Sequence, residues 1–237
     1  MTIFHGRLKN YSAGTVLDFG TGSGSSAKEV IDAVKDFDTI VGLETTETEK
    51  EIASDLLSAM YFEYVQSEGP PLPFVSGAFD TVCMSQVVHH LPPDSRQEVL
   101  AELKRVLTPG GTFLLVEGYR DQQCGARKTQ IICHSLRAVM DRDEGVHHYQ
   151  TLRRQEVMEL VTSMGFEHCE MFDFAPMRAD FNDPDNLDNI ARFIDREIEE
   201  RAHLPRYEQY RRIGERLKER TYRTGYLGSR SLVAICR

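Results

Sequence analysis

The run Thr15-Val16-Leu17-Asp18-Phe19 passes directly into Gly20-Thr21-Gly22-Ser23-Gly24, and over residues 27–34 apolar side chains then recur at helical spacing. Strand, glycine turn and helix in that order constrain the fold more than any other feature of the chain. A β-branched apolar run suits a pleated strand, and glycines leave no side chain to block the approach of a ligand to the backbone. In a doubly wound sheet, ligands bind just beyond the carboxyl ends of the strands, which is where this loop falls.

The unit repeats. Residues 39–43 form a second strand ending at Glu44, and 47–59 read as its helix, with Ile52, Leu56 and Leu57 on one face. Residues 61–65 and 79–84 read as the third and fourth strands. Residues 94–107 form an amphipathic helix with Val99, Leu103, Val106 and Leu107 inward, closed by Pro109-Gly110-Gly111. The fifth strand, 112–116, is apolar throughout and needs cover on both faces, as a central parallel strand does. Strands alternating with helices predict an α/β, open, doubly wound sheet. Beyond Glu117 the pattern predicts helices at 130–140 and 154–164, a sixth strand at 166–174, a loop at 180–188, a long polar helical stretch at 186–221 and a last strand at 231–235.

Length allows one sizeable core, so a single domain over 1–237 is expected. It divides into a half of regular strand and helix alternation at about 12–118 and a divergent half at about 119–237, the latter holding a helical insertion at about 186–226. No apolar run is long enough for a membrane span. Residues 1–11 lack the apolar stretch and cleavage site of a secretory signal, which points to the cytoplasm. With 28 basic against 37 acidic side chains the formal charge is −9, unfavourable for a nucleic-acid partner. The arginine-rich stretch 201–223 reads as a solvated helix of alternating charge. The five cysteines are scattered and never spaced C-x-x-C, so buried reduced thiols are expected, with neither a disulfide framework nor a zinc site.

Two readings of the glycine loop diverge at position 25. A nicotinamide fingerprint, G-x-G-x-x-G, requires a third glycine where Ser25 stands, and the Tyr-x-x-x-Lys of hydride transfer is not recognisable. Glu44, at the end of the second strand, suits a ribose, because one carboxylate can accept from both hydroxyls; it also suits a helix start, through the macrodipole. Leu72-Pro73-Phe74, followed by Phe79-Asp80, is a third element in the same half.

Together, Val16 to Gly24, Val41-Gly42-Leu43-Glu44, Leu72-Pro73-Phe74, Phe79-Asp80-Thr81-Val82, Val88-His89-His90-Leu91 and Leu107-Thr108-Pro109-Gly110-Gly111 resemble the cofactor half of class I S-adenosylmethionine-dependent methyltransferases. The nearest group is the small-molecule one that includes the ubiquinone and menaquinone enzymes. The resemblance implies a Rossmann-like, seven-stranded sheet of order 3-2-1-4-5-7-6 with the last strand antiparallel. It further implies that Asp18, Phe19, Gly20, Gly22, Gly24, Glu44, Thr45, Glu68, Gly69, Ser85 and Gln86 hold S-adenosylmethionine. Asp18 would fix the amino group, Glu44 the ribose, Glu68 the adenine amine, and Ser85 and Gln86 would lie beside the sulfonium.

Members of that family carry helices before the first strand as a lid, whereas about a dozen residues precede Thr15 here, and the insertion at 186–226 is expected to serve as a substitute lid or a homodimer surface. Methyl transfer from a sulfonium is an in-line displacement for which alignment and exclusion of water suffice. Where the acceptor needs a base, His89, His90, His148 and Tyr149 are the candidates, with His147 beside them. No metal is expected, since adjacent loop histidines rarely reach one ion and no Asp/Glu cluster accompanies them at ligand spacing. The function expected is methyl transfer to a small-molecule acceptor; a cofactor-binding regulator or partner subunit without activity and an NAD-dependent oxidoreductase are the alternatives.

Overall fold

A computed structural model describes residues 3, 4, 6–177 and 180–237. Among the described residues, seven strands form one sheet: β1 (Thr15–Phe19), β2 (Thr39–Glu44), β3 (Phe62–Gln66), β4 (Phe79–Ser85), β5 (Leu107–Gly118), β6 (Cys169–Phe174) and β7 (Ser231–Cys236). Their order is β3-β2-β1-β4-β5-β7-β6. β7 runs antiparallel to both β5 and β6, while the other pairs are parallel. The helices are α1 (Ser25–Ile31), α2 (Lys50–Leu56), α3 (Arg96–Val106), α4 (Gly125–Asp143), α5 (Arg154–Ser163), α6 (Pro184–Glu199) and α7 (Tyr207–Thr224).

Successive residues of the central strands enter opposite cores. Leu17, Val82, Met84, Phe113 and Leu115 join Leu103 and Val106 of α3 on one face. Val16, Cys83, Leu114 and Val116 join Val30 of α1 on the other. Both faces being covered explains why these strands read as continuous apolar runs. Phe4 and Leu8, both buried, complete the second core, so the short segment ahead of β1 packs on the sheet.

The C-terminal half adds a third layer. α4, α6 and α7 enclose Leu136, Met140, Ile194, Ile198, Tyr210 and Leu217 in a core of their own, here called the cap. Each fully buried aliphatic side chain contributes about 2 kcal/mol, so α6 and α7 direct their apolar stripes inward onto α4. Asp183 starts α6 by accepting hydrogen bonds from the backbone N–H groups of Asp185 and Asn186 at 3.0 and 3.3 Å, with Pro184 at the first helical position.

The structure differs from the sequence expectations at five places. On α2 the buried positions are Ala53 and, just beyond the helix end, Leu57, whereas Ile52 and Leu56 are exposed; the helix ends a turn earlier than its pattern suggests, and a four-residue spacing faces the core. Pro109-Gly110-Gly111 lies inside β5 rather than ending a helix: α3 stops at Val106, Leu107 pairs with Phe79, and the register shifts before Thr112 pairs with Thr81. Gly111 is needed there, since a Cβ would come within 2.8 Å of the Asp80 carbonyl oxygen. The segment expected as a loop at 180–188 is already helical from Pro184, because Asp183 and Pro184 start α6 there, and the helical stretch that follows is divided over residues 200–206. Arg201, expected on a solvated face, is buried at the break. Finally, Cys169 and Cys236 are not free thiols: they are directly opposite on β6 and β7 and form a disulfide, while Cys83, Cys124 and Cys133 remain free.

Candidate functional site

The carboxyl ends of β1, β2 and β4 meet at the glycine loop. Gly20, Gly22 and Gly24 all have positive φ, at 73, 47 and 80°. At Gly20 a Cβ would overlap Cγ2 of Val87, the residue that leads from β4 into the following turn. The loop is tied to β2 through the Gly20 and Thr21 N–H groups, which donate to the Leu43 carbonyl at 2.8 and 3.2 Å. Glu44 therefore lands beside it, accepting from Thr45 N–H at 2.8 Å and Gly22 N–H at 3.3 Å.

Asp18 is fully buried. Thr21 Oγ1 donates to its Oδ2 at 2.9 Å, but Oδ1 is buried with no hydrogen-bond partner. Burial pushes the Asp18 carboxyl up to about 6, against the hydrogen bond of Thr21 and the nearby polar groups of Ser26 and Ala27, which favour its charged form. A buried carboxylate oxygen without a donor is costly unless something supplies one. A cationic amino group would.

The other expected cofactor residues divide. Thr45 donates its hydroxyl to Glu44 at 3.2 Å. Glu68 and Gly69 follow β3, in a segment held to β2 by the hydrogen bond from Ser67 N–H to the Glu44 carbonyl at 2.9 Å, and Glu68 is exposed. Ser85 ends β4, partly open. The Phe19 side chain is instead in the first core, leaving only its backbone to the site. Gln86, at φ 58°, commits its amide to the sheet: it accepts from Gly118 N–H at 3.1 Å and donates to Ser231 Oγ at 3.3 Å.

The histidines lie just past β4. His89 and His90 form a short 3-10 turn whose first residue, Val88, donates its N–H to Glu117 at 3.1 Å. Glu117, fully buried at the end of β5, also bonds His89 Nδ1 at 2.6 Å. His148 Nδ1 bonds Asp141 at 2.6 Å, and Asp141 is in turn held by Arg201 at 2.5 Å. Burial raises the cost of the Asp141 charge, but the hydrogen bond from His148 and the Arg201 charge outweigh it and keep its carboxyl below the usual range. Tyr149 N–H donates to the His89 carbonyl at 2.7 Å, and the Tyr149 hydroxyl meets His147 Nδ1 at 3.2 Å. His90 Nδ1 donates to the His147 carbonyl at 3.2 Å. His90 keeps a solvent-open edge, yet desolvation of the rest of its ring, with His89 and His148 alongside, pushes it down to about 4.

Sequence reasoning missed four residues here: Glu117, His134, Asp141 and Arg201. His134 lies on α4 with its ring centroid 4.8 Å from that of His89 and 4.7 Å from that of His148. Burial, followed by the neighbouring imidazoles, drives it down to about 3. Nothing local in the sequence marks these residues: Glu117 meets the turn after β4 from the end of neighbouring β5, and His134, Asp141 and Arg201 join it only through the packing of α4 and the segment after α6.

Residues 17–115 match the methyltransferase domain family. This stretch, less than half of the chain, is similar to the methyltransferase domains of the class I S-adenosylmethionine-dependent family. The match is to that domain at large and does not single out the ubiquinone and menaquinone group. An uncharacterised methyltransferase from Synechocystis sp. is 35% identical over 35% of this chain and 38% of its own length. Another, from Anoxybacillus flavithermus, is 29% identical over 45% of this chain and 48% of its own. The chain thus aligns with less than half the length of these relatives.

Solved structures share the methyltransferase domain's fold over nearly the whole chain. Haemonchus contortus phosphoethanolamine N-methyltransferase 2, in complex with phosphomonomethylethanolamine and S-adenosylhomocysteine, covers 98% of this chain and 50% of its own at TM-score 0.57 and 16% identity. The [4+2]-cyclase SpnF covers 96% of this chain and 76% of its own at TM-score 0.58 and 16% identity. At such identity the likeness is one of fold, and the cyclase shows that chemistry must be argued from the site.

Proposed function

We propose that the protein is an S-adenosylmethionine-dependent methyltransferase acting on a small-molecule acceptor. The observation that carries this reading is the unpaired, fully buried Oδ1 of Asp18 at the end of β1, beside a glycine loop that side chains cannot fill and one strand away from Glu44. Those groups fit the cofactor part by part: Asp18 for a cationic amino group, the glycine loop for close backbone approach, Glu44 for vicinal hydroxyls. When bound, S-adenosylmethionine supplies a methyl group on a positively charged sulfur.

The chain's own residues then hold and align. Thr21 keeps Asp18 turned so that Oδ1 is presented. Thr45 and Gly22 fix the Glu44 carboxylate, so little rotamer entropy remains to be lost on binding. Beyond the end of β4, the turn carrying His89 and His90 forms the acceptor side, and the cap closes over it through α4. With an ordinary unprotonated imidazole at His90, a proton leaving an acceptor hydroxyl or amine could be taken there. The test is transfer of labelled methyl from S-adenosylmethionine in the presence of a small-metabolite extract, added protein and added RNA. Label in a dialysable product is the expected result; label retained only on protein or RNA contradicts the small-molecule acceptor.

A further inference from the structure

Three imidazoles from well-separated stretches converge at the edge of the sheet: His89 in the turn after β4, His134 on α4 and His148 in the loop after α4. Each offers one ring nitrogen, and the three nitrogens lie within 4.8 Å of one another. His89 and His148 are buried and His134 is partly so.

The hydrogen bonding around them is that of a ligand set. Glu117 faces His89 Nδ1 and Asp141 faces His148 Nδ1, each at 2.6 Å. A neutral imidazole with Nδ1 against a carboxylate carries its proton there and leaves a lone pair on Nε2. His148 Nε2 lies 3.1 Å from His134 Nε2, so one proton serves both nitrogens, and His134 Nδ1 is then a buried acceptor with no hydrogen-bond partner. The cluster thus holds two ring nitrogens that share one proton and a buried ring nitrogen with no partner. A cation removes that deficit, and carboxylates behind two of three histidines are the usual outer shell of a metal-bound imidazole.

We propose that His89, His134 and His148 ligate a divalent transition-metal ion of the zinc class, with a fourth position left open. Imidazole donors favour Zn²⁺, Co²⁺, Ni²⁺ or Fe²⁺ over Mg²⁺ and Ca²⁺, which take oxygen ligands. Three protein ligands with an open position is the arrangement of catalytic rather than structural zinc sites. Tetrahedral ligation brings the nitrogens to about 3.3 Å apart, which rotations of the side-chain torsions achieve from the present spacing. Arg201 ties the site to the cap: it reaches from the end of α6 to Asp141, also pairing with Glu144 at 3.0 Å and Glu197 at 3.3 Å. The site stands independently of methyl transfer, since metal content is read without a substrate.

The experiment strips the full chain with a chelator, re-equilibrates it with Zn²⁺, Co²⁺ or Mg²⁺, and counts bound metal. The expected result is one Zn²⁺ or Co²⁺ per chain, no Mg²⁺, and visible Co²⁺ absorption of tetrahedral intensity. His134→Ala should weaken Co²⁺ binding by at least about 100-fold and Asp141→Asn by about 10- to 100-fold. His168→Ala, an exposed histidine outside the cluster, should leave it unchanged. Far-ultraviolet circular dichroism checks that each variant is folded, and Asp141→Asn decides the matter if His134→Ala is not. Substoichiometric metal in the parent, or affinity unchanged in the folded variants, overturns the proposal.

Discussion

The half of the chain that ends with β5 and the half that follows it build their sites by different means. In the first, Asp18, the glycines, Glu44 and Ser85 sit at the ends of strands that are neighbours in the sheet, and parallel pairing alone brings them to one edge. In the second, the decisive contacts close long loops: Arg201 reaches Asp141 across 60 residues, and Cys169 bonds Cys236 across 67. Sites of the first kind announce themselves in short motifs, whereas sites of the second kind exist only after packing.

That contrast can be broken most severely at the disulfide. Reducing Cys169–Cys236 frees a 67-residue loop containing α6 and α7, and a loop of that size corresponds to about 4 kcal/mol of folding free energy. Urea unfolding with and without reductant measures it; an unmoved midpoint would return these cysteines to the free thiols expected from the sequence. Arg201→Ala comes next. It removes the more buried of the two cations that Asp141 and Glu197 share, leaving them Arg137 at 3.8 and 3.2 Å, a loss of about 2 kcal/mol. Affinity for S-adenosylmethionine should stay within about twofold, because the variant lies in the cap and distant sites add independently; a large loss of affinity would mean that the two halves are not separable.

Asp18→Asn should act in the opposite direction. Burial raises the Asp18 pKa in the fold from the ordinary 3.8 to about 6, so the folded state holds that proton more tightly than the unfolded chain. The advantage is fully present below pH 3.8 and is lost as pH rises through about 6, leaving a charged Asp18 that costs the ligand-free fold about 3 kcal/mol at pH 8. The variant should therefore gain about 2 kcal/mol at pH 8, little at about pH 4, and lose cofactor binding. A gain of equal size at both pH values would show that charge burial is not the cause. The smallest expected effect is at α2, where exposed Ile52→Ser should change stability by less than about 0.5 kcal/mol, against about 3 for buried Leu57→Ala. Equal effects would restore the helix face expected from the sequence.

The doubly wound sheet and the placement of the glycine loop were legible because alternation of strand and helix fixes such a sheet and glycine at positive φ has few substitutes, whereas the strand order was legible only through the family resemblance. The fault at α2 was one of phase: the periodicity was real, but the helix begins at Lys50, and Ala53, too small to weigh in the pattern, occupies the buried position. The arginine-rich stretch misled because charge alternation describes most of α7 but not Arg201, whose partners come from α4 and α6 and the turn after α4. The cysteine pairing was invisible for the same reason, being set by the register of two antiparallel strands. His89 and His148 were candidates from their neighbours in sequence, yet His134, which draws them into one cluster, had no neighbour to mark it.

The most direct test of the cofactor assignment is calorimetric titration of the parent and of Glu44→Ala with S-adenosylmethionine, S-adenosylhomocysteine and NAD. The expected result is micromolar binding of the first two to the parent, weakened about 10- to 100-fold in Glu44→Ala by loss of hydrogen bonds to a charged acceptor, and no binding of NAD. Binding of NAD alone, or of none of the three by a folded parent protein, would contradict it.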